Sequence, residues 1–462
     1  MGSLSSSLNI AIGSMLAEQG AIETTSNNIA NVNTPGYSRQ RANLAENTPV
    51  EVGGITYGTG VQLQDVTSLR DSILDIRVNQ ETQQQGQLNA FISGGQQIQS
   101  LFNETSGTGL QAPITALFSS FQQLSVNPND LTTRQGVITA AQNLARAFNQ
   151  VSSNLTTQRQ NTDLAVKQSV SAINSLTTQI AQVNLQVASA LGSGSNAGPF
   201  IDQRQQLINQ LSNYVDVSEI DAGNGSITLT TSNGTPLVVG GQSFALTTKA
   251  DPTTGYQDIY SGSNNITSQL TSGQLAGQLQ IRDQEIPGIQ NSLDTLAYNL
   301  SNAVNTQQQA GYDLNGAAGG PLFTPLTQQA GAAASLSVAI TDPGKIAASG
   351  SAAPGSTGDN QNANALLGLQ NQQSVNGQTP LDYYSGIVFK IGNDVSSAQT
   401  QQQSGSLVLQ QIQNLQGGVS GVNINEEAAN LIQFQNAYQA SAQVTSVINT
   451  LMQTTINMVS GA

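Results

Sequence analysis

The side chains here that could do acid–base or electrostatic chemistry are 27 carboxylates and 13 cations; histidine and cysteine are absent from the 462 residues. Without histidine there is no Ser-His-Asp relay and no H-E-x-x-H zinc site. Without cysteine there is no thiolate nucleophile and no disulfide framework. The carboxylate pair Glu426-Glu427 stands out, but adjacent residues on a helix point in different directions and do not share one target. The two read instead as first-turn charges at a helix N-terminus, capped by Asn423 or Asn425. Residues Gly192 to Ala197 have the spacing of a dinucleotide fingerprint. They follow a helical pattern rather than a strand, so they read as a loop. The sequence points to no catalytic residue, no cofactor and no metal site, and the chain is not expected to be an enzyme.

Composition narrows the remaining classes. Charged residues are 9% of the chain, against about 25% in ordinary soluble domains. Gln, Asn, Ser and Thr take their place, leaving a polar, weakly charged surface. A net charge of −14 with thinly scattered Lys and Arg leaves no basic track for a phosphate backbone, so no nucleic-acid partner is expected. No stretch approaches the roughly 18 apolar residues of a membrane span, so no membrane insertion is expected. The first basic side chain is Arg39, so the start lacks the charged and apolar regions of a cleaved signal peptide.

What the pattern does provide is helix-on-helix assembly. Leu8, Met15, Ile22 and Ile29 are spaced by seven, with Leu4, Ala11 and Val32 on the adjoining row. Near the other end, Ile424, Leu431, Tyr438, Met452 and Val459 keep that spacing across an interruption at Thr445, and Phe434, Ala442, Val444, Ile448, Leu451 and Ile456 widen the stripe. A heptad stripe is a seam that needs another helix against it. The expected assembly interface is Leu8, Met15, Ile22 and Ile29 with Leu431, Phe434, Tyr438, Ile448, Leu451 and Met452. Two such helices in one subunit can cover each other only in part.

Directly after the first helix comes a turn. The residue before a proline is pushed out of the helical region, so Thr34 should end that helix. Pro35 and Gly36 then fit the two central positions of a type II turn, where glycine accepts positive φ, and Tyr37 leaves the turn as extended chain.

Asn27 to Asn31 and Thr34-Pro35-Gly36-Tyr37-Ser38-Arg39-Gln40 resemble the amino-terminal signature of the bacterial flagellar rod, hook and hook-associated proteins. The Tyr37 to Gln40 ending resembles the hook-associated branch that forms the hook-filament junction. Val422 to Gln435 and Ala437 to Ala440 resemble that family's last helix, and Asp202-Gln203-Arg204 with Leu207 and Leu211 an internal stretch. The resemblance implies a structural part of the flagellum, joining hook to filament by polymerisation of its terminal helices. It implies self-association in a helical layer, contact with the hook protein and with a second junction protein on the filament side, and type III export to an extracellular site with the amino terminus retained. It further implies a cytoplasmic export chaperone that holds the carboxyl-terminal stripe around Leu431 to Met452. The alternative is another exported tube or surface protein: a hook or rod paralogue, an adhesin or a phage-tail-like subunit.

Periodicity sets the expected architecture, mainly α with a β-rich inserted domain in an elongated multidomain rod whose end helices pack together. Residues 1–36 and 424–462 form the assembly domain. Residues 37–212, 270–312 and 362–423 form a helical rod, with a very long helix over Thr132 to Ala190 and a short hairpin within Val50 to Val66. Residues 213–269 and 313–361 form the β-rich middle and linkers, from the alternation at Ile227 to Thr230 and Leu336 to Ile340.

Overall fold

A computed structural model describes residues 2–52, 54–104, 109–223, 225–352 and 358–460. The first helix, α1 (Gly2–Ala30), leads through the turn into a two-stranded ribbon of β1 (Gln40–Glu46) and β4 (Val61–Ser68), which carries a smaller hairpin, β2 (Val50–Val52) and β3 (Ile55–Tyr57), at its tip. Four helices follow: α2 (Ser72–Ser100), α3 (Gln111–Val126), α4 (Leu131–Gly192) and α5 (Gly198–Tyr214). Aspartates start two of them. Asp71 accepts the free N–H groups of Ile73 and Leu74, and Asp130 those of Thr132 and Thr133, as N-caps do. The 62 residues of α4 make a helix roughly 93 Å long.

The β-rich insert has two antiparallel sheets. One contains β5 (Ser218–Asp221), β6 (Ile227–Thr230), β7 (Pro236–Val239) and β8 (Gln242–Ser243) in chain order. The other contains β9 (Leu246–Ala250), β10 (Gln257–Ser261) and β11 (Asn264–Asn265). Amides on α4 dock both. Asn184 Nδ2 donates to the carbonyls of Ile227 and Gly240, while Asn174 exchanges hydrogen bonds with both backbone groups of Leu246. The rod resumes with α6 (Gly273–Gln280), a π turn over Ile281–Glu285, α7 (Ile286–Ala310), the short α8 (Ala332–Ser335) and α9 (Gln361–Gly368), then α10 (Pro380–Ser420) and finally α11 (Ile424–Ser460).

Two hydrophobic cores lie along α4. The first gathers Leu144, Phe148 and Leu155 with Phe118, Phe121, Leu296 and Tyr384. The second gathers Val166, Ile173, Ile180 and Val187 with Leu211, Leu229, Leu237 and Ile259. Between them the facing side chains are polar, centred on Asp163 and Arg282.

Three expectations need correction. Residues 37–68 are not helical rod; the ribbon begins at Gln40, well before the hairpin expected within Val50 to Val66. Residues 313–361 carry no strand among those described, only isolated bridges such as Tyr312 to Ser349 and Phe323 to Val338. Their backbone groups are met by side chains instead. Asn305 takes both backbone groups of Phe323, Asn149 donates to Ala333 and Leu336, and Asp294 accepts from Gly331 and Ala333. Leu322, Phe323, Leu336 and Ile346 thereby join the first core. Within the helical rod expected over residues 270–312, the helix is interrupted by the π turn.

The terminal helices pack together, antiparallel. Asn28 meets Glu427 at the rod end and Met15 meets Thr445 midway, so the start of α1 and the end of α11 lie at the free end of the pair and Ile22 sits at the level of Tyr438. The β1–β4 ribbon runs back along the other side of α1. A Cβ on Gly20 would stand 2.6 Å from Leu63 Cδ2, so any larger residue there would need the Leu63 side chain to shift.

Candidate functional site

Covered from two sides, α1 buries small residues most completely: Ala11, Ala17, Ala21, Thr24, Thr25 and Asn28. Leu8, Met15, Ile22 and Ile29, expected at the centre of the seam, are half-buried along its rim. On α11, Ile448 is buried and Leu431, Phe434, Tyr438 and Met452 are half-buried. Leu451 is off this inner seam and 49% exposed. With Val444, Val447 and Met458, also half or more exposed, it makes a second stripe at spacings of three, four and seven, which are the steps of a helical seam. On α1, Ile12 and Leu16 are exposed at the same level, Leu16 at 64%. Met1, where the chain starts, lies outside the described residues, as do Gly461 and Ala462.

At the rod end of the pair, stretches far apart in sequence meet. The backbone N–H of Tyr37 bonds to the Thr34 carbonyl, and Gly36 has φ of 76°, the type II geometry expected. Thr34, Pro35 and Gly36 are exposed, so the turn acts through its geometry; Tyr37 is half-buried and points back to α1. Its hydroxyl donates to Asn28 Oδ1 at 2.8 Å. Asn28 is 1% exposed and fully engaged. Its Oδ1 also accepts from the Gln40 N–H at 2.9 Å, and its Nδ2 donates to the Gln40 carbonyl at 2.8 Å and to Glu427 Oε2 at 2.9 Å. One amide therefore joins α1, the turn, β1 and α11.

A second layer ties this knot to the rod. Arg39 Nη1 pairs with Glu426 at 2.7 Å, and its N–H donates to the Ser420 carbonyl at the end of α10. The Ser38 N–H donates to Asp202 Oδ2 at 2.9 Å. Asp202 on α5 also pairs with Arg70, which pairs with Asp75 on α2, and Asp75 in turn accepts from Gln416. Burial raises the Asp202 carboxyl above its usual range, against the hydrogen bonds from Ser38 and Arg70. Burial, with the Asp202 and Glu427 charges, pushes the Tyr37 phenol up to about 12, so it stays a donor at any physiological pH. A cleft of about 620 Å³ beside the knot is lined by Pro35, Tyr37, Arg70, Asp202, Gln206 and Ser420. No group of three or more acidic residues able to hold a metal occurs among the described residues. The arrangement fixes the geometry of the terminal helices on the rod.

Asn423 caps α11, its Oδ1 accepting from Asn425 N–H at 3.0 Å, and of the two first-turn glutamates that follow, Glu426 is exposed while Glu427 is not. Glu427 is 3% exposed. The clue was available: Glu427 lies seven before Phe434, and Asn28 seven after Ala21. A polar residue where a seam wants an apolar one marks a register-setting contact.

Replacing Gly36 with valine should cost on the order of 1–2 kcal/mol, because a β-branched residue is driven into positive φ, and its Cβ would also displace the Gln206 side chain. The expected result is weaker docking of the terminal pair with rod melting unchanged. Near-ultraviolet Tyr signals and proteolysis of α1 would report it, and identical proteolysis of variant and parent would contradict it.

Three family models match the chain. Residues 95–323 match the flagellar hook-associated protein FlgK helical domain, residues 8–37 the flagella basal body rod protein, and residues 416–458 the carboxyl-terminal model of the flagellar basal body rod FlgEFG protein. The chain is 29% identical to flagellar hook-associated protein 1 of Escherichia coli K12, covering 98% of this chain and 100% of that one. It is also 29% identical to the Bacillus subtilis protein of that name, covering 97% of each. The structure of the flagellar hook junction protein FlgK from Burkholderia pseudomallei superposes with a TM-score of 0.66 at 20% identity, over 74% of this chain and 100% of that one. The terminal matches fall on the knot and the terminal pair, and the central match on the rod and its insert.

Proposed function

We propose, for a chain that belongs to the flagellar hook-associated protein 1 family, a division of labour between its two seams. The protein is a structural component of the bacterial flagellum that forms the junction between hook and filament through polymerisation of its terminal helices. The inner seam and the Asn28 knot hold α1 and α11 as one antiparallel unit in fixed register on the rod. The outer stripe of Val444, Val447, Leu451 and Met458, with Ile12 and Leu16, joins that unit to neighbouring copies in a helical layer. The observation that carries this reading is the uncovered stripe at seam spacing on a helix already paired on its other side. A contiguous apolar stripe on a soluble subunit marks an interaction surface.

On this reading the hook protein lies on one side of the layer and a second junction protein on the filament side. A cytoplasmic chaperone covers the α11 stripe until type III export, which keeps the amino terminus. No charged side chain occurs after Glu427, which suits a segment handed between apolar partners. The alternatives, an adhesin or a phage-tail-like subunit, are not favoured by relatives matching along the whole chain.

The test is a Val447→Asp, Leu451→Asp variant supplied in place of the native chain. Each apolar side chain buried between copies contributes roughly 1.5–3 kcal/mol, so self-association should weaken at least a hundredfold. Purified, the variant should stay monomeric at concentrations where the parent associates, and cells supplied with it should carry no filaments. Normal filaments would overturn the assignment of the outer stripe.

A further inference from the structure

The tip of the ribbon carries an apolar face that nothing in the subunit covers. β2 and β3 pair Val50 with Tyr57, Glu51 with Thr56 and Val52 with Ile55. Successive side chains in a strand point to opposite faces, and residues opposed across an antiparallel pair share one. Val50, Ile55 and Tyr57 therefore lie on one face, and Glu51 and Thr56 on the other. Those three apolar residues are 51%, 59% and 53% exposed. A lone hairpin of such short strands is marginal in water, so this face is built for burial against something else.

Position and symmetry indicate what that is. Gly60 lies against Ile10, and the Val61 carbonyl near Gly13, so the tip continues past Ile10 toward the free end of the terminal pair. That is the level at which the outer stripe of α11 ends. The stripe is apolar and bears no charge from Ala428 onward, which matches the uncharged tip face. We infer that the tip face of one copy closes over the Val447, Leu451 and Met458 stripe of a second copy, deepening the self-association reading above by naming a second surface for it. Tip on stripe is a heterologous contact, and repeating it generates a ring or an open helix. Tip on tip would be isologous and would stop at dimers, which does not build a layer.

The absence of native cysteine makes the test clean. The full-length chain is concentrated in sulfate, which strengthens apolar burial, and its association is read by sedimentation. Ile55→Ser with Tyr57→Ser should weaken association at least tenfold with an unchanged melting curve. In an Ile55→Cys, Leu451→Cys chain, mild oxidation should give a ladder of linked oligomers, while an equal mixture of the two single variants stops at dimers. Ile55→Cys alone should give none. A dimer from Ile55→Cys alone, an intrachain link, no ladder, or unchanged association of the serine variant would overturn the tip assignment and leave the outer-stripe reading standing. A parent chain that stays monomeric throughout would overturn both.

Discussion

Replacing Asn28 with leucine is expected to release the terminal helix pair from the rod while the rod itself stays folded. The side chain touches both backbone groups of Gln40, the Tyr37 hydroxyl and Glu427, all within hydrogen-bond distance and largely shielded from water. Each buried polar group left without a partner costs about 1–3 kcal/mol, so the docked arrangement should lose roughly 3 kcal/mol or more. Glu427 also faces a leucine with its charge uncompensated. Hydrogen exchange should report the change as faster exchange over α1, β1 and the first turns of α11, with the amides of α3, α4 and α7 unaltered. Glu427→Gln, which keeps an acceptor for Asn28 Nδ2, should behave far more mildly. Equal protection of the helix pair in parent and Asn28→Leu chains would show that the knot does not hold it.

The second large effect is expected in the rod. Arg282 lies in the π turn between the two cores, with its side chain 2% exposed. Its Nη1 donates to Asp163 at 2.6 Å and to the Gln257 carbonyl at 2.7 Å, and its Nε and Nη2 grip Asp283, each at 2.8 Å. The guanidinium thus joins α4, the π turn and β10. Breaking a buried ion pair from one side costs about 3–5 kcal/mol, and Asp163 would keep only the Gln257 N–H and a 3.9 Å contact with Lys167. Arg282→Met should therefore lower stability in urea by that amount. The loss should appear in the half of the rod that carries the β-rich insert, since Arg159 still donates to the backbone carbonyl of residue 282. A loss below about 1 kcal/mol would mean the flanking apolar cores alone join the two halves.

The parts of this architecture that repeat were legible in the sequence. Heptad spacing identified both terminal helices, and the apolar periodicity across Thr132 to Ala190 belongs to a single helix, α4. Gly36 could be read from local chemistry, since a Pro-Gly pair leaves few turns open. Less legible was what each stripe faces. Leu451 and Ile448 are three residues apart, yet one is buried against α1 and the other belongs to the uncovered stripe. Periodicity shows that a helix has an apolar side but not that it has two partners. The Gly13 and Gly20 pair, also seven apart, was the trace of the ribbon on α1.

The knot escaped for a different reason. Asn28 and Glu427 are 399 residues apart, and each has an ordinary local explanation as a helix-end residue. Only their places on the two heptads set them apart. Residues 313–361 escaped because a short alternating run such as Leu336 to Ile340 resembles a strand whether or not a second strand exists to pair with it. Here Asn149, Asn305 and Asp294 satisfy that backbone instead, a solution with no periodic trace. The π turn at Ile281–Glu285 adds one residue of register; its trace, buried Ile281 and Ile286 five apart, is masked by Leu279 and Ile286, which keep a spacing of seven.

The central claim is that this chain is the layer on which the filament begins. Electron microscopy of cells lacking it, with flagellin measured in the medium, tests that most directly. Hooks should be present and bare, with flagellin shed into the medium, and filaments should return when the chain is restored. Hooks that still carry filaments in its absence would contradict the account.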